Sequence, residues 1–237
     1  MKNTISKTPD PLNRHTAILA GIFYGGLGNS MIRAIIFDFG RVISAQKPPS
    51  LFRRYEEDLG LKPDTINSIM FDSQAWRDTL TGRKTEEEFW YTIGPELGLN
   101  SPGEIDAFQR RYRGDEAINR GVVHLMHQLK GRYKLAVLSN SPPSLAQWLV
   151  DWGILDMFDA IFCSGDEGSV KPDPAAFRVV LERLGVEPEE AIFIDDTMDH
   201  VMAARMLGLK GILFTTPEAL AEQLDDLLPS PSTAPQE

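Results

Sequence analysis

Ile35-Ile36-Phe37-Asp38-Phe39-Gly40 decides how the rest of this chain is read. An apolar run that stops at a carboxylate and then a glycine reads as a buried parallel strand running into a loop. In an open α/β sheet, ligands bind just past the carboxyl ends of such strands. Taken alone, an Asp in that position fits a turn or a helix cap as well as a site. Later segments end the same way, however. Residues 134–138 run into Ser139-Asn140, residues 191–194 run into Asp195-Asp196, and the apolar residues 160–163 lead into a loop that carries Lys171.

Between these segments the periodicity alternates. Strands are expected over 34–39, 134–138, 160–163, 191–194 and 211–214, and helices over 119–130, 144–152, 175–184, 200–207 and 217–228. Such alternation implies the α/β class, a doubly wound parallel sheet with right-handed crossovers. The segment after the first strand breaks the pattern. Helical spacing recurs there over 51–59, 63–71, 76–81, 85–97 and 105–112, and Thr85-Glu86-Glu87-Glu88 has the form of a capping box. The insertion is too long for a simple crossover. The expected organisation is therefore an α/β core from 31–46 and 119–228, with a small α-helical cap, 47–118, inserted after the first strand and lying over the strand ends.

Composition narrows the function classes. The chain has 237 residues, 42% of them hydrophobic and 24% charged, enough for a sizeable core in a water-facing protein. A net charge of −10 argues against a general nucleic-acid or anionic-membrane surface. One cysteine, Cys163, excludes an intrachain disulfide framework and fits a cytoplasmic location. It follows Ile161-Phe162 and reads as a strand-end residue. Residues 1–30 are expected to be a flexible extension: the apolar patch 17–27 is broken by Gly21, Gly25 and Gly26 and is too short to span a bilayer. Residues 229–237, rich in Pro and Ser, are expected to be disordered.

If the first, second and fourth strands lie side by side, their ends bring Asp38, Ser139, Asn140, Asp195 and Asp196 into one crevice. Three carboxylates repel unless a cation sits among them, and an all-oxygen set suits Mg²⁺. A carboxylate beside such an ion can attack phosphorus. Ser139 and Asn140 offer neutral donors to phosphoryl oxygens, and Lys171 a compensating point charge. Gly40 allows close approach of backbone to a ligand. His124 and His127 have no carboxylate or Cys company at metal-ligand spacing, which argues against zinc. The string Asp38-Phe39-Gly40 also mimics a kinase metal motif, but no Gly-rich loop, strand lysine or catalytic-loop pattern accompanies it.

Ile36-Phe37-Asp38-Phe39-Gly40, Val137-Leu138-Ser139-Asn140, Val170-Lys171-Pro172-Asp173 and Phe193-Ile194-Asp195-Asp196, in that order, resemble the haloacid dehalogenase-like hydrolase superfamily over about residues 31–228. The resemblance implies a Rossmann-like core with a helical cap and a Mg²⁺ cofactor. It makes Asp38 the nucleophile and a metal ligand, with the Gly40 carbonyl, Asp196 and Asp195 completing the protein ligands. Lys171 becomes catalytic, and Ser139, Asn140, Lys171 and Arg41 become the phosphate-binding set. The implied activity is Mg²⁺-dependent hydrolysis of a small phosphomonoester, a sugar phosphate or similar, through an aspartyl-phosphate. The expected partner is then a small-molecule phosphate ester, with neither nucleic acid nor membrane, and the chain a monomer or homodimer.

One departure stands out. Most phosphatases of this superfamily carry a second Asp, the general acid and base, where this chain has Gly40, and losing a proton donor costs about 10²–10⁴-fold in rate. Two other readings follow from it: a phosphate- and Mg²⁺-binding protein of low or no activity, and a metal-independent dehalogenase-type hydrolase. Dehalogenase members usually have Tyr at that position, which counts against the last. His200 stands where relatives often carry Asn.

Overall fold

Alternation inside the first strand governs the layers. In the computed structural model, which describes residues 31–228, β1 (Ala34–Phe37) is buried along its whole length. Successive side chains of a strand point to opposite faces. Accordingly Ile35 and Phe37 join one hydrophobic cluster, and Ala34 and Ile36 the other. That double burial is why the segment is uniformly apolar rather than alternating. The expectations for residues 1–30 and 229–237 lie outside the described residues.

The remaining strands are β2 (Lys134–Ser139), β3 (Ala160–Cys163), β4 (Ala191–Asp195) and β5 (Lys210–Leu213). They form a parallel five-stranded sheet in the order β3-β2-β1-β4-β5. β1 therefore lies between β2 and β4, as the convergence of the strand ends requires, and the order reverses direction around it. Crevices at such reversals are where α/β sheets bind ligands.

Helices cover both faces. Among those in the chain are α1 (Pro49–Leu59), α2 (Ile66–Phe71), α3 (Gln74–Leu80), α4 (Glu86–Ile93), α5 (Pro102–Gly114), α6 (Arg120–Leu129), α7 (Leu145–Asp151), α8 (Ser164–Glu167), α9 (Pro174–Leu184), α10 (Met198–Met206) and α11 (Pro217–Leu227). Val122 and Met126 of α6, Leu145 and Leu149 of α7, and Leu220 and Leu224 of α11 pack on the Ile35 face. Phe177 and Val180 of α9 and Ala204 of α10 pack on the Ile36 face. This is the doubly wound α/β arrangement expected from the sequence.

Helices α1 to α5 build their own core, in which Tyr55, Met70, Phe89, Trp90, Ile93 and Phe108 are buried together. Thr85 caps α4 as its sequence implies: its hydroxyl accepts from Glu88 N at 3.1 Å, and Glu88 Oε2 accepts from Thr85 N at 2.8 Å. The chain enters and leaves this helical insertion through paired backbone. Ala45 N donates to Ala117 O at 2.7 Å and Asn119 N to Ile43 O at 2.8 Å. Lys47 and Glu116 form an ion pair across the same two segments.

Some boundaries differ from expectation. β1 stops at Phe37 rather than 39, because the chain turns over Phe39–Ile43, with Arg41 at φ 59°. β2 and β4 run one residue further, so Ser139 and Asp195 are themselves strand residues. No helix among the described residues is long and apolar enough to cross a membrane.

Candidate active site

The three strands at the centre of the sheet end in polar groups that meet. Asp38 follows β1, and its backbone N–H donates to Ile194 O of β4 at 2.8 Å, which fixes the level at which the two strands finish. Carboxylate oxygens of Asp38, Asp195 and Asp196 lie within 4.8 Å of one another. Lys171, buried like Asp38 and Asp195, spans them: its Nζ donates to Asp38 Oδ1 at 2.7 Å and to Asp195 Oδ2 at 2.6 Å.

Burial, and then the charges of Asp195 and Asp196, push the Asp38 carboxyl up to about 6, against the opposing pull of Lys171. Asp195 goes the other way. Burial raises it, but the hydrogen bond from His200 and the charge and hydrogen bond of Lys171 together outweigh that and hold it below the usual carboxylate range. His200 Nδ1 lies 3.1 Å from Asp195 Oδ2, and Thr197 N donates to Asp195 Oδ1 at 2.8 Å. Thus Asp195 is held from several sides, whereas Asp38 shares only the lysine.

Arg41 and Asn140 are engaged differently from the sequence reading. Arg41 Nε pairs with Asp196 Oδ2 at 2.9 Å rather than standing free to meet a ligand. Asn140 turns its side chain on the backbone of Lys171: Oδ1 accepts from Lys171 N at 2.7 Å, and Nδ2 donates to Lys171 O at 2.9 Å. That two-point clamp sets where the lysine starts. Ser139 is buried at the last position of β2. Asp173 accepts from Ala175 N at 2.8 Å and caps α9. His200, which the sequence sets apart because relatives often carry Asn there, makes a hydrogen bond to Asp195, whereas Thr197 carries no signature beyond following two aspartates.

Gly40 is a glycine for no backbone reason. Its φ and ψ, −64° and 125°, suit any residue, and a Cβ built there would meet only Asp38 Oδ2, at 3.9 Å. Space for a side chain exists beside Asp38 Oδ2, and the chain leaves it empty. Over Gly40, Arg41, Ser139 and Asn140 opens a cavity of about 730 Å³ whose far side is the helical insertion.

An all-oxygen cluster of three carboxylates facing one buried ammonium fits a hard divalent cation.

The profile of the haloacid dehalogenase-like hydrolase family matches residues 32–208. Sesquiterpene phosphatase astK of Aspergillus oryzae is 28% identical over 202 residues, covering 83% of this chain and 96% of that protein. Drimenol cyclase drtB of Aspergillus calidoustus is 28% identical over 206 residues, and there the chain spans 85% of itself but only 38% of the relative. A HAD family enzyme of Bacteroides thetaiotaomicron, solved with magnesium and inorganic phosphate, superposes with a TM-score of 0.63 at 22% identity, over 78% of this chain and 95% of that one.

Proposed function

Since the chain belongs to the haloacid dehalogenase-like hydrolase family, we propose that it is a Mg²⁺-dependent phosphomonoesterase in which Asp38 is the nucleophile. The observation that carries this reading is the buried Asp38–Lys171–Asp195 bridge, with Asp196 alongside, at strand ends open to a cavity. The phosphatase named among the relatives and the magnesium and phosphate in the Bacteroides enzyme support it.

Asp38, Asp195, Asp196 and the Gly40 carbonyl would hold the ion, which supplies charge neutralisation at the transferring phosphoryl group when bound. Lys171 fixes Asp38 Oδ1 and leaves Oδ2, on the Gly40 side, as the attacking oxygen. The Asp38 Oδ2–P bond forms as the P–O ester bond breaks, and the alcohol departs. Ser139 and Lys171 stabilise the phosphoryl oxygens, and Asn140 acts through Lys171 as a positioning residue. Water then attacks phosphorus, its O–P bond forming as the Asp38 Oδ2–P bond breaks, which releases inorganic phosphate and returns the Asp38 carboxylate. Since position 40 has no side chain, the leaving oxygen takes its proton from water in the cavity. We read the insertion, 47–118, as the cap that covers this site.

Phosphate release from a panel of phosphomonoesters, with Mg²⁺ and with chelator, beside Asp38→Asn, tests the proposal. Release that needs both the metal and Asp38 is expected, with Asp38→Asn lowering it by about 10⁴-fold or more. Saturable binding of Mg²⁺ and phosphate without turnover would instead favour a binding protein, a reading that Gly40 specifically motivates. Turnover that survives full chelation would point to metal-independent chemistry.

A further inference from the structure

We infer that the cavity above the strand ends takes an apolar body, so that the preferred substrate is the phosphomonoester of a hydrocarbon alcohol rather than a sugar phosphate. The inference rests on the phosphomonoesterase reading and adds the substrate class to it.

The argument begins with the cavity wall. Phe52, Phe71, Trp76, Phe89 and Trp90 from the insertion and Trp148 from α7 line the space of about 730 Å³ that opens on Gly40 and Ser139. Sites of that size accommodate bodies well beyond a triose or a glycolate. The rings form a connected set: Phe71 on Trp76 at 5.4 Å, Trp76 on Phe89 at 5.3 Å, Phe89 on Trp90 at 5.4 Å between centroids. They stand tilted or edge-on to one another, so they form a continuous apolar wall.

Several charged groups in the wall are already engaged. Glu86 accepts from Arg113 Nη1 at 3.4 Å, and the Arg113 guanidinium lies 4.4 Å over the Trp148 ring. Lys47 pairs with Glu116 and sits 4.3 Å over the Tyr112 ring. Glu56 accepts from Ile66 N at 3.0 Å. These contacts engage five of the charged side chains that line the cavity, and leave Gln46, Arg53, Asp64 and Asn67 as lining side chains without a hydrogen bond of their own among the described residues. Each hydroxyl buried against this wall without a partner would lose about tenfold in affinity, whereas each methylene gains up to about fourfold.

The test is kcat/KM with Mg²⁺ for a series of n-alkyl phosphates from butyl to decyl, kept below their micellar concentrations, against glucose 6-phosphate. Beside it, Mg²⁺-dependent binding of ethyl- and decylphosphonate is followed by tryptophan fluorescence. Expected is kcat/KM rising with chain length to exceed that of glucose 6-phosphate by at least about a hundredfold. Phe52→Gln, at a partly exposed wall position, should flatten the rise of kcat/KM with chain length. Turnover of glucose 6-phosphate at or above that of decyl phosphate overturns the inference and leaves the phosphomonoesterase standing. If no ester is turned over, the phosphomonoesterase reading fails, and the phosphonates still decide the cavity. Decylphosphonate binding much more tightly than ethylphosphonate upholds the apolar site, and equal binding refutes it.

Discussion

The strand-end cluster and the aromatic wall are built by opposite rules, although the cavity that the wall lines reaches Gly40, Arg41, Ser139 and Asn140 beside the cluster. At the strand ends, charged side chains are positioned by specific hydrogen bonds. Lys171 is shared between Asp38 and Asp195, its backbone is clamped by Asn140, and Asp195 is held by Thr197 and His200. In the wall, rings from α2, α3 and α4 meet at varied angles, fixed by packing rather than by donor and acceptor. A hydrogen-bonded set tolerates almost no change of residue type, because a partner left behind is buried and unpaired. A packed apolar wall tolerates exchange at similar volume. On the proposed function, chemistry would be fixed at the strand ends and selectivity adjustable in the insertion.

The sharpest way to break that contrast is Gly40→Asp. The position has ordinary backbone angles and open space beside Asp38 Oδ2, so an aspartate can be placed without strain. If proton transfer to the leaving oxygen limits the rate, kcat for an alkyl phosphate should rise by about 10²-fold or more. A rate that stays level or falls, with Mg²⁺ binding intact, would show that Gly40 costs the enzyme nothing.

Asp38→Asn gives the next largest effect, on stability. The Asp38 carboxyl is raised from an ordinary value of 3.8 to about 6, so the folded state holds a proton that the unfolded chain releases earlier. Its contribution to stability is fully present below about pH 4 and is lost as pH rises through about 6. In chelator at neutral pH, the ionised group should cost up to about 3 kcal/mol. The asparagine variant, inactive, is expected to melt higher than the wild type there, with the gap closing toward about pH 4. Equal melting temperatures at neutral pH would mean that Lys171 already compensates the charge.

The contrast also explains what was readable beforehand. Asp38, Ser139, Asp195 and Asp196 were legible because a strand's period and its polar end are local features of sequence. So was the Thr85–Glu88 cap, whose partners are three residues apart. The equivalent pairing of Ser101 with Glu104 went unread, with Pro102 and Gly103 masking the helix start. The clamp of Asn140 on Lys171 joins residues 31 apart, and only the folded loop brings their polar groups together. The short helix α8 is a single turn, too brief to show a period. For the cavity, sequence showed aromatics without a direction: Trp76, Phe89 and Trp90 pack within the insertion's own core and also line the cavity, whereas the neighbouring Tyr91 is exposed and is not part of the wall.

Arg41 belongs to neither rule, and it supplies the smallest predicted effect. It sits at φ 59°, a left-handed conformation that costs an arginine about 1 kcal/mol or more. Held there, its guanidinium meets Asp196 at 2.9 Å, with the arginine side chain 58% exposed. An exposed pair of this kind contributes at most about 1 kcal/mol. A cation taking Asp196 must displace it, so Arg41→Gly should tighten Mg²⁺ binding by no more than about fivefold, while relaxing the turn. Once displaced, the arginine remains at the cavity floor beside Gly40, where it can meet a phosphoryl oxygen. The same variant should therefore weaken binding of inorganic phosphate at saturating Mg²⁺, and calorimetric titration of each ligand separates the two effects. Tighter Mg²⁺ with unchanged phosphate would leave Arg41 a guard on Asp196 alone. Unchanged Mg²⁺ with weaker phosphate would make it part of the phosphate site, and the pair with Asp196 incidental to metal binding.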